Sequence, residues 1–256
     1  MTIPQAVLLF FAALVAGIMN AIAGGGSFFT FPALLFTGVP AIPANATSTV
    51  AVWPGSLASA GAYRKRLPRS ARMLAPLIAA SLIGGVIGAT LLLHTPQETF
   101  LRLIPFLFLG ATLLFAFGKK VTKSSNASLH EQTEPPWSTI GLITSLQFII
   151  SIYAGFFGGG MGILMLALFT FLPVGDIHAM NSIKTLLAAA SNGVAIIAFI
   201  VAKIIFWPQA VLMLFGAIVG GYGGAFFAQK MNPKYIRSFV VAVGFIMSFI
   251  FLWKYR

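Results

Sequence analysis

Two glycine triplets are the first residues in this chain whose type and spacing could do chemistry: Gly24-Gly25-Gly26 and Gly158-Gly159-Gly160. Each opens a short apolar run, 27–38 after the first and 161–172 after the second. Glycine lets the main chain bend, and it lets a solute approach the backbone closely. A helix that begins just past such a bend, near Ser27 or Met161, has first N–H groups without intrahelical partners and the positive end of its dipole there. Two helix starts facing each other would cradle an anion. The plainer reading is a tight turn with close helix packing; recurrence of the triplet favours the site.

A polar cluster follows each short run. Asn45, Thr47, Ser48 and Thr49 crowd one helix start, and Asn181, Ser182, Lys184 and Thr185 crowd the other. Ser191 and Asn192 interrupt the apolar helix a turn or two deeper, and Ser56 is the repeat partner of Ser191. Such hydroxyls and amides can replace the water around an oxyanion. N-capping and helix–helix packing are the structural alternatives. Lys184 is the charge placed deepest within an apolar span, about two turns from its end. A charge there is costly and marks a functional position by default. Its alternatives are snorkelling to the membrane surface and pairing with Asp176, the single aspartate.

Other chemistries lack their residues. There is no cysteine, no HExxH, no GxSxG and no carboxylate inside a span, so an intramembrane nucleophile or acid–base pair is missing. His94, His130 and His178 share no ligand spacing. No enzyme activity, cofactor or metal is expected.

The elements that must hold these residues follow from composition. Of 256 residues, 59% are hydrophobic and 8% charged, with a mean hydropathy of +0.96. A soluble domain carries roughly 25% charged residues, so this is a polytopic membrane protein. A helix needs about 20 apolar residues to cross the hydrocarbon core. Candidates are 4–22, 44–63, 71–93, 99–118, 137–157, 178–201, 207–228 and 234–253. Span 4–22 reads as a retained membrane segment, since no Lys or Arg precedes Arg64 to form a signal peptide's basic start. Trp53, Trp137, Trp207 and Trp253, with Tyr63, Tyr235 and Tyr255, read as interface anchors.

The chain is a duplication. Gly24–Gly26 falls on Gly158–Gly160 at an offset of 134, and Ala44-Asn45-Ala46-Thr47 falls on Ala179-Met180-Asn181-Ser182 at 135. Gly84-Gly85 and Gly88-Ala89 fall on Gly220-Gly221 and Gly224-Ala225 at 136, and Gly110 falls on Gly244 at 134. The expected units are a first transmembrane repeat over 1–118, a cytoplasmic connecting loop over 119–136 and a second repeat over 137–256.

Net charge is +12, and the basic residues sit between spans, which reads as topology and not as nucleic-acid binding. Arg64, Lys65, Arg66, Arg69 and Arg72 place one loop in the cytoplasm; Lys119, Lys120 and Lys123 place a second; Lys230, Lys234 and Arg237 place a third. Consistency then requires 137–172 to enter and return on one side, and 4–38 to do so from the other. Each half becomes a GGG-broken helical hairpin plus three transmembrane helices, and the odd number of crossings inverts the halves. The expected fold is an all-α polytopic membrane protein of two inverted-topology repeats, the plan of secondary transporters. If 27–38 and 161–172 cross fully, the repeats are parallel instead.

These stretches resemble a known family. AGGGSFFTFPALL, GVPAIPANATST and the YRKR end of the first half are similar to the TauE/SafE sulfite-exporter family, and GFFGGGMGI, HAMNSIKT and SNG repeat the pattern in the second. Lys184 departs from it, standing where a small or apolar residue is expected. The resemblance implies a permease of the bacterial inner membrane that exports sulfite, an organosulfonate or a related small anion. Alternatives are an anion channel or a non-transporting assembly or structural protein. Expected partners are a small inorganic or organic anion and the lipid bilayer, with room for a homodimer. The candidate binding residues are Gly24, Gly25, Gly26, Ser27, Asn45, Thr47, Ser48, Gly158, Gly159, Gly160, Asn181, Ser182, Lys184, Ser191 and Asn192.

Overall fold

In the computed structural model of the chain, every regular element among the described residues is helical. The structure describes residues 1–22, 25–68, 70–123, 136–169, 171, 177–228 and 233–254. Gly24, Arg69, His130, Glu131, Glu134, Asp176, Lys230, Tyr255 and Arg256 lie outside them. The helices are α1 (Ile3–Ile22), α2 (Ser27–Phe36), α3 (Ala41–Tyr63), α4 (Ala71–His94), α5 (Gln97–Lys123), α6 (Trp137–Phe156), α7 (Met161–Phe169), α8 (Ile177–Val201), α9 (Trp207–Ala228) and α10 (Pro233–Lys254), with a 3₁₀ turn at Arg64–Arg66. Four are long and apolar enough to cross a membrane over their described residues: Ile3–Asn20, Ala71–His94, Trp137–Phe156 and Ala179–Val201.

Several helix ends shift by one to five residues from expectation, and two of the differences bear on the site and the connecting loop. α3 begins at Ala41, three residues early, with Pro40 as its N-cap at φ −57° and ψ 151°; proline's fixed φ suits a residue that cannot continue the helix backwards. Asn45 and Thr47 therefore lie inside the helix and do not cap it. α5 runs to Lys123, five residues past the expected end at 118.

The apolar faces are arranged for hydrocarbon. On α4, Gly84, Gly85, Gly88 and Ala89 are buried while Leu82, Ile83, Val86 and Leu91 are exposed. Small residues inside and branched residues outside is the membrane pattern, because close backbone approach holds helices together where the solvent is itself apolar. A Cβ on Gly84 would lie 2.7 Å from the Phe148 carbonyl oxygen of α6, and one on Gly155 of α6 would lie 2.9 Å from the Ala89 nitrogen. The same contact recurs with the halves exchanged. α1 packs along α9 as α6 packs along α4. A Cβ on Gly216 of α9 would lie 2.6 Å from the Phe10 carbonyl oxygen, and one on Gly17 of α1 would lie 2.7 Å from the Gly221 nitrogen. Helices α3 and α8 pack together, as do α5 and α10.

The two crossings differ in polarity. Gln147 of α6 donates its Nε2 protons to the Ser81 and Ser151 hydroxyls at 2.9 and 3.0 Å, and Ser191 of α8 donates to the Ser81 carbonyl at 3.2 Å. The repeat counterparts at the α1–α9 crossing are Ala13, Gly17 and Ala217, so this polar set has no counterpart there.

Helix ends are tied together by specific contacts. Gln5 Nε2 donates to the Thr37 carbonyl at 3.4 Å, joining the start of α1 to the end of α2. Lys254, at the end of α10, lies 5.8 Å over the Phe36 ring. Ile42 N–H donates to Gln97 Oε1 at 3.2 Å, and Phe206 N–H donates to Thr47 Oγ1 at 3.1 Å. Elsewhere, the Arg72 guanidinium stacks 4.3 Å over the Trp137 ring, joining the starts of α4 and α6.

An aromatic core links both halves. Phe31 stacks with Phe108 at 5.8 Å between centroids, Phe108 meets Phe251 edge-on at 5.3 Å, and Phe157 meets Phe108 at 5.5 Å. Trp137, Trp207 and Trp253 are exposed at helix ends, as anchors should be. Trp53 is a correction. It sits in mid-helix and donates Nε1–H to the Ala189 carbonyl of α8 at 3.0 Å, because a polar N–H inside hydrocarbon needs a protein acceptor.

Candidate functional site

Each short helix hangs on a glycine bend. Gly25 has φ +90°, Gly158 +76° and Gly160 +74°, a left-handed backbone open to glycine at little cost. Gly160 is also crowded: a Cβ there would lie 3.1 Å from the Ala111 Cβ of α5. Gly160→Ala should lower stability by about 1–2 kcal/mol from the left-handed conformation alone, read as a lower thermal unfolding midpoint in detergent. Gly141→Ala, with open space at its Cβ, is the control and should not lower it.

The first bend is closed from α1. Asn20 Oδ1 accepts the Gly26 N–H at 2.8 Å, and the N–H groups of Phe28 and Phe29 turn back to the Gly25 and Gly26 carbonyls at 3.1 and 3.0 Å. At the second bend, Met161 and Ile163 donate to the Gly158 and Gly160 carbonyls at 3.4 and 3.0 Å. Several donors expected to await an anion are thus already engaged.

The two bends meet around one cavity of about 90 Å³. Gly25, Ser27, Gly158, Gly160, Lys184 and Asn192 line it, from both halves of the chain. Ser27 and Met161, one triplet offset apart, both face it; so do Thr49 and Lys184, one helix offset apart. Lys184 is the one charged side chain in the lining among the described residues. Its Nζ donates to Asn181 Oδ1 one turn back at 2.8 Å, which holds the ammonium on its helix and leaves further N–H donors on the same atom. The arrangement offers a cation, hydroxyls and amides around one small cavity, which suits an oxyanion.

The other predicted residues have different tasks. Asn45 Nδ2 donates to the Phe156 carbonyl at 3.1 Å, and Thr47 accepts from Phe206. Ser48 shares a 2.6 Å hydrogen bond with Thr30. Ser182 bonds the Ala179 carbonyl at 2.6 Å, and Ser191 bonds Ser81. The Gly159 carbonyl accepts from the Tyr153 hydroxyl. None of these lines the cavity, nor does Gly26 or Asn181. Sequence reasoning missed Asn20. Its signal was available: an amide near the end of an otherwise apolar helix, six residues before Gly26. Ser56, Thr49 and Thr185 also line the cavity.

Comparisons with known proteins agree with one another. The chain is 28% identical over 241 residues to a probable membrane transporter protein, ORF9, of a Sinorhizobium species, covering 94% of this chain and 89% of that one. It is 28% identical over 242 residues to a probable membrane transporter protein of Haemophilus influenzae, covering 94% and 92%. It is 27% identical over 241 residues to the probable membrane transporter protein YfcA of Escherichia coli K12, covering 94% and 87%. No solved structure matches. The family described as sulfite exporter TauE/SafE matches residues 9–251, and with its apolar helices the chain belongs to that family of multi-pass membrane transporters.

Proposed function

We propose that the chain exports a small anion, foremost sulfite or an organosulfonate, from the bacterial cytoplasm across the inner membrane. The observation that carries this reading is the cavity between the two glycine bends, with Lys184 as its charged lining residue. The two halves are arranged as inverted repeats around it. The tie between Gln5 and Thr37 supports a hairpin that enters and returns on one face, and Lys254 over Phe36 supports the end of α10 on that same face. The stacking of Arg72 on Trp137 supports α6 starting beside the basic loop that follows α3. Inside-negative potential favours anion exit by about 2.3 kcal/mol per charge per 100 mV, so export is driven by potential and gradient.

Reconstituted vesicles decide the reading. Labelled sulfite should leave protein-loaded vesicles faster than empty ones, and counterflow of tracer against excess unlabelled sulfite marks a carrier, whereas a channel or an assembly protein gives none. A second test addresses topology. Single cysteines at Ser70 and Asn232 should resist an impermeant periplasmic reagent, while one added at the C-terminus should react. Labelling at Asn232 would overturn the inverted arrangement.

A further inference from the structure

The offset of 135 that sets Ala44–Thr47 on Ala179–Ser182 also sets Thr49 on Lys184. Both residues line the one cavity, Thr49 from α3 and Lys184 from α8. We infer that positions 49 and 184 set the charge of the anion bound there, and that Thr at one with Lys at the other selects singly charged oxyanions over doubly charged ones. This rests on the anion site proposed above.

Charge balance decides, because the cavity is small, about 90 Å³. Among the described residues the remaining polar side chains around the cavity are neutral: Asn20, Ser27, Thr49, Ser56, Thr185 and Asn192. Among the described residues the hydrogen-bond partner of the Lys184 ammonium is a neutral amide oxygen and not a carboxylate, which leaves its charge for a ligand. The first negative charge of an anion therefore finds a counterion. A second finds hydroxyls and amides alone, and an uncompensated charge away from water is strongly disfavoured. The helix starts of α2 and α7 do not replace the missing cation. Their partial charge resides on unsatisfied N–H groups; those of Gly26, Phe28, Phe29, Met161 and Ile163 are already bonded, which leaves at most the N–H groups of the lining residues Ser27 and Gly162, dipoles and not a second unit charge. The duplication offers the means of change: a lysine at position 49 would give each half its own cation.

Methanesulfonate and sulfate test this, since both carry a tetrahedral sulfur–oxygen head and they differ in charge. Binding to the purified full-length protein is measured calorimetrically at matched ionic strength. The natural chain should bind methanesulfonate more tightly than sulfate by roughly a hundredfold. Thr49→Lys should reverse the order. The comparison on the unsubstituted chain decides even if that variant does not fold. Equal or tighter binding of sulfate, lost in Lys184→Met, overturns the charge rule and leaves the anion site standing. Binding of neither anion, together with no labelled-anion transport in vesicles, removes the site and this inference with it.

Discussion

Lys184→Met should weaken anion binding by about 10- to 150-fold, the equivalent of the roughly 1.5–3 kcal/mol carried by a hydrogen bond to a charged group. Methionine keeps the length of the side chain and removes the ammonium. The lysine stem runs beside Gly162, where a Cβ would lie 3.4 Å from its Cδ, and methionine can follow the same course. Expression and melting temperature should therefore remain near those of the natural chain while apparent affinity falls. Lys184→Arg should recover part of the loss, because charge persists while the planar fork alters geometry. The contact with Asn181 provides a control. Asn181→Ala removes the 2.8 Å acceptor of Nζ but leaves the charge in the cavity, so affinity should fall by less than in Lys184→Met. A Lys184→Met protein with unchanged affinity would return the residue to a packing or snorkelling role.

The sequence made the bends legible because glycine is demanded there for a local reason. A φ of +76° or +74° at Gly158 and Gly160 excludes most other residues; the duplication repeats the residue type, while the left-handed angle in the first triplet falls on Gly25, and Gly26, the partner of Gly160, is right-handed at φ −56°. Lys184 was legible because a lone charge in an apolar run is rare. Asn45 and Thr47 were recognised as polar groups at a helix start, but their tasks were not readable. Their partners are the Phe156 carbonyl, 111 residues away, and the Phe206 N–H, 159 residues away. Local spacing carries no information about a partner that only the fold brings near. Trp53 failed in the same way: an indole N–H can be met by interfacial water or by a buried carbonyl, and Ala189 is 136 residues distant. Asn20 went unread because its repeat counterpart is Ala154, so duplication gave it no second vote.

The glycine crossings should show the largest effect on stability. Gly88 of α4 is packed on the backbone of α6, where an added Cβ would press on the Ile152 carbonyl and lie 2.8 Å from the Phe156 nitrogen. Backbone atoms cannot rotate aside as a side-chain tip can. Gly88→Val must therefore push α4 and α6 apart along their length, at a cost of about 1–3 kcal/mol or more for overpacking. Gly220 faces α1 in the corresponding way, with the Leu14 carbonyl against its missing side chain, and Gly220→Val should cost a similar amount. The two positions touch different helices, so the double variant should lose about the sum of the single losses. The readout is the yield of monodisperse protein and its thermal midpoint in detergent. Gly110→Ala is the control, because no atom lies within 4 Å of its Cβ position; replacing an open helical glycine by alanine should raise stability by about 0.5–1 kcal/mol. Its repeat partner Gly244 should behave oppositely, since a Cβ there would lie 2.9 Å from the Thr112 methyl. If Gly88→Val and Gly220→Val melt with the natural chain, close backbone approach is not what holds the first helix of each half against the other half.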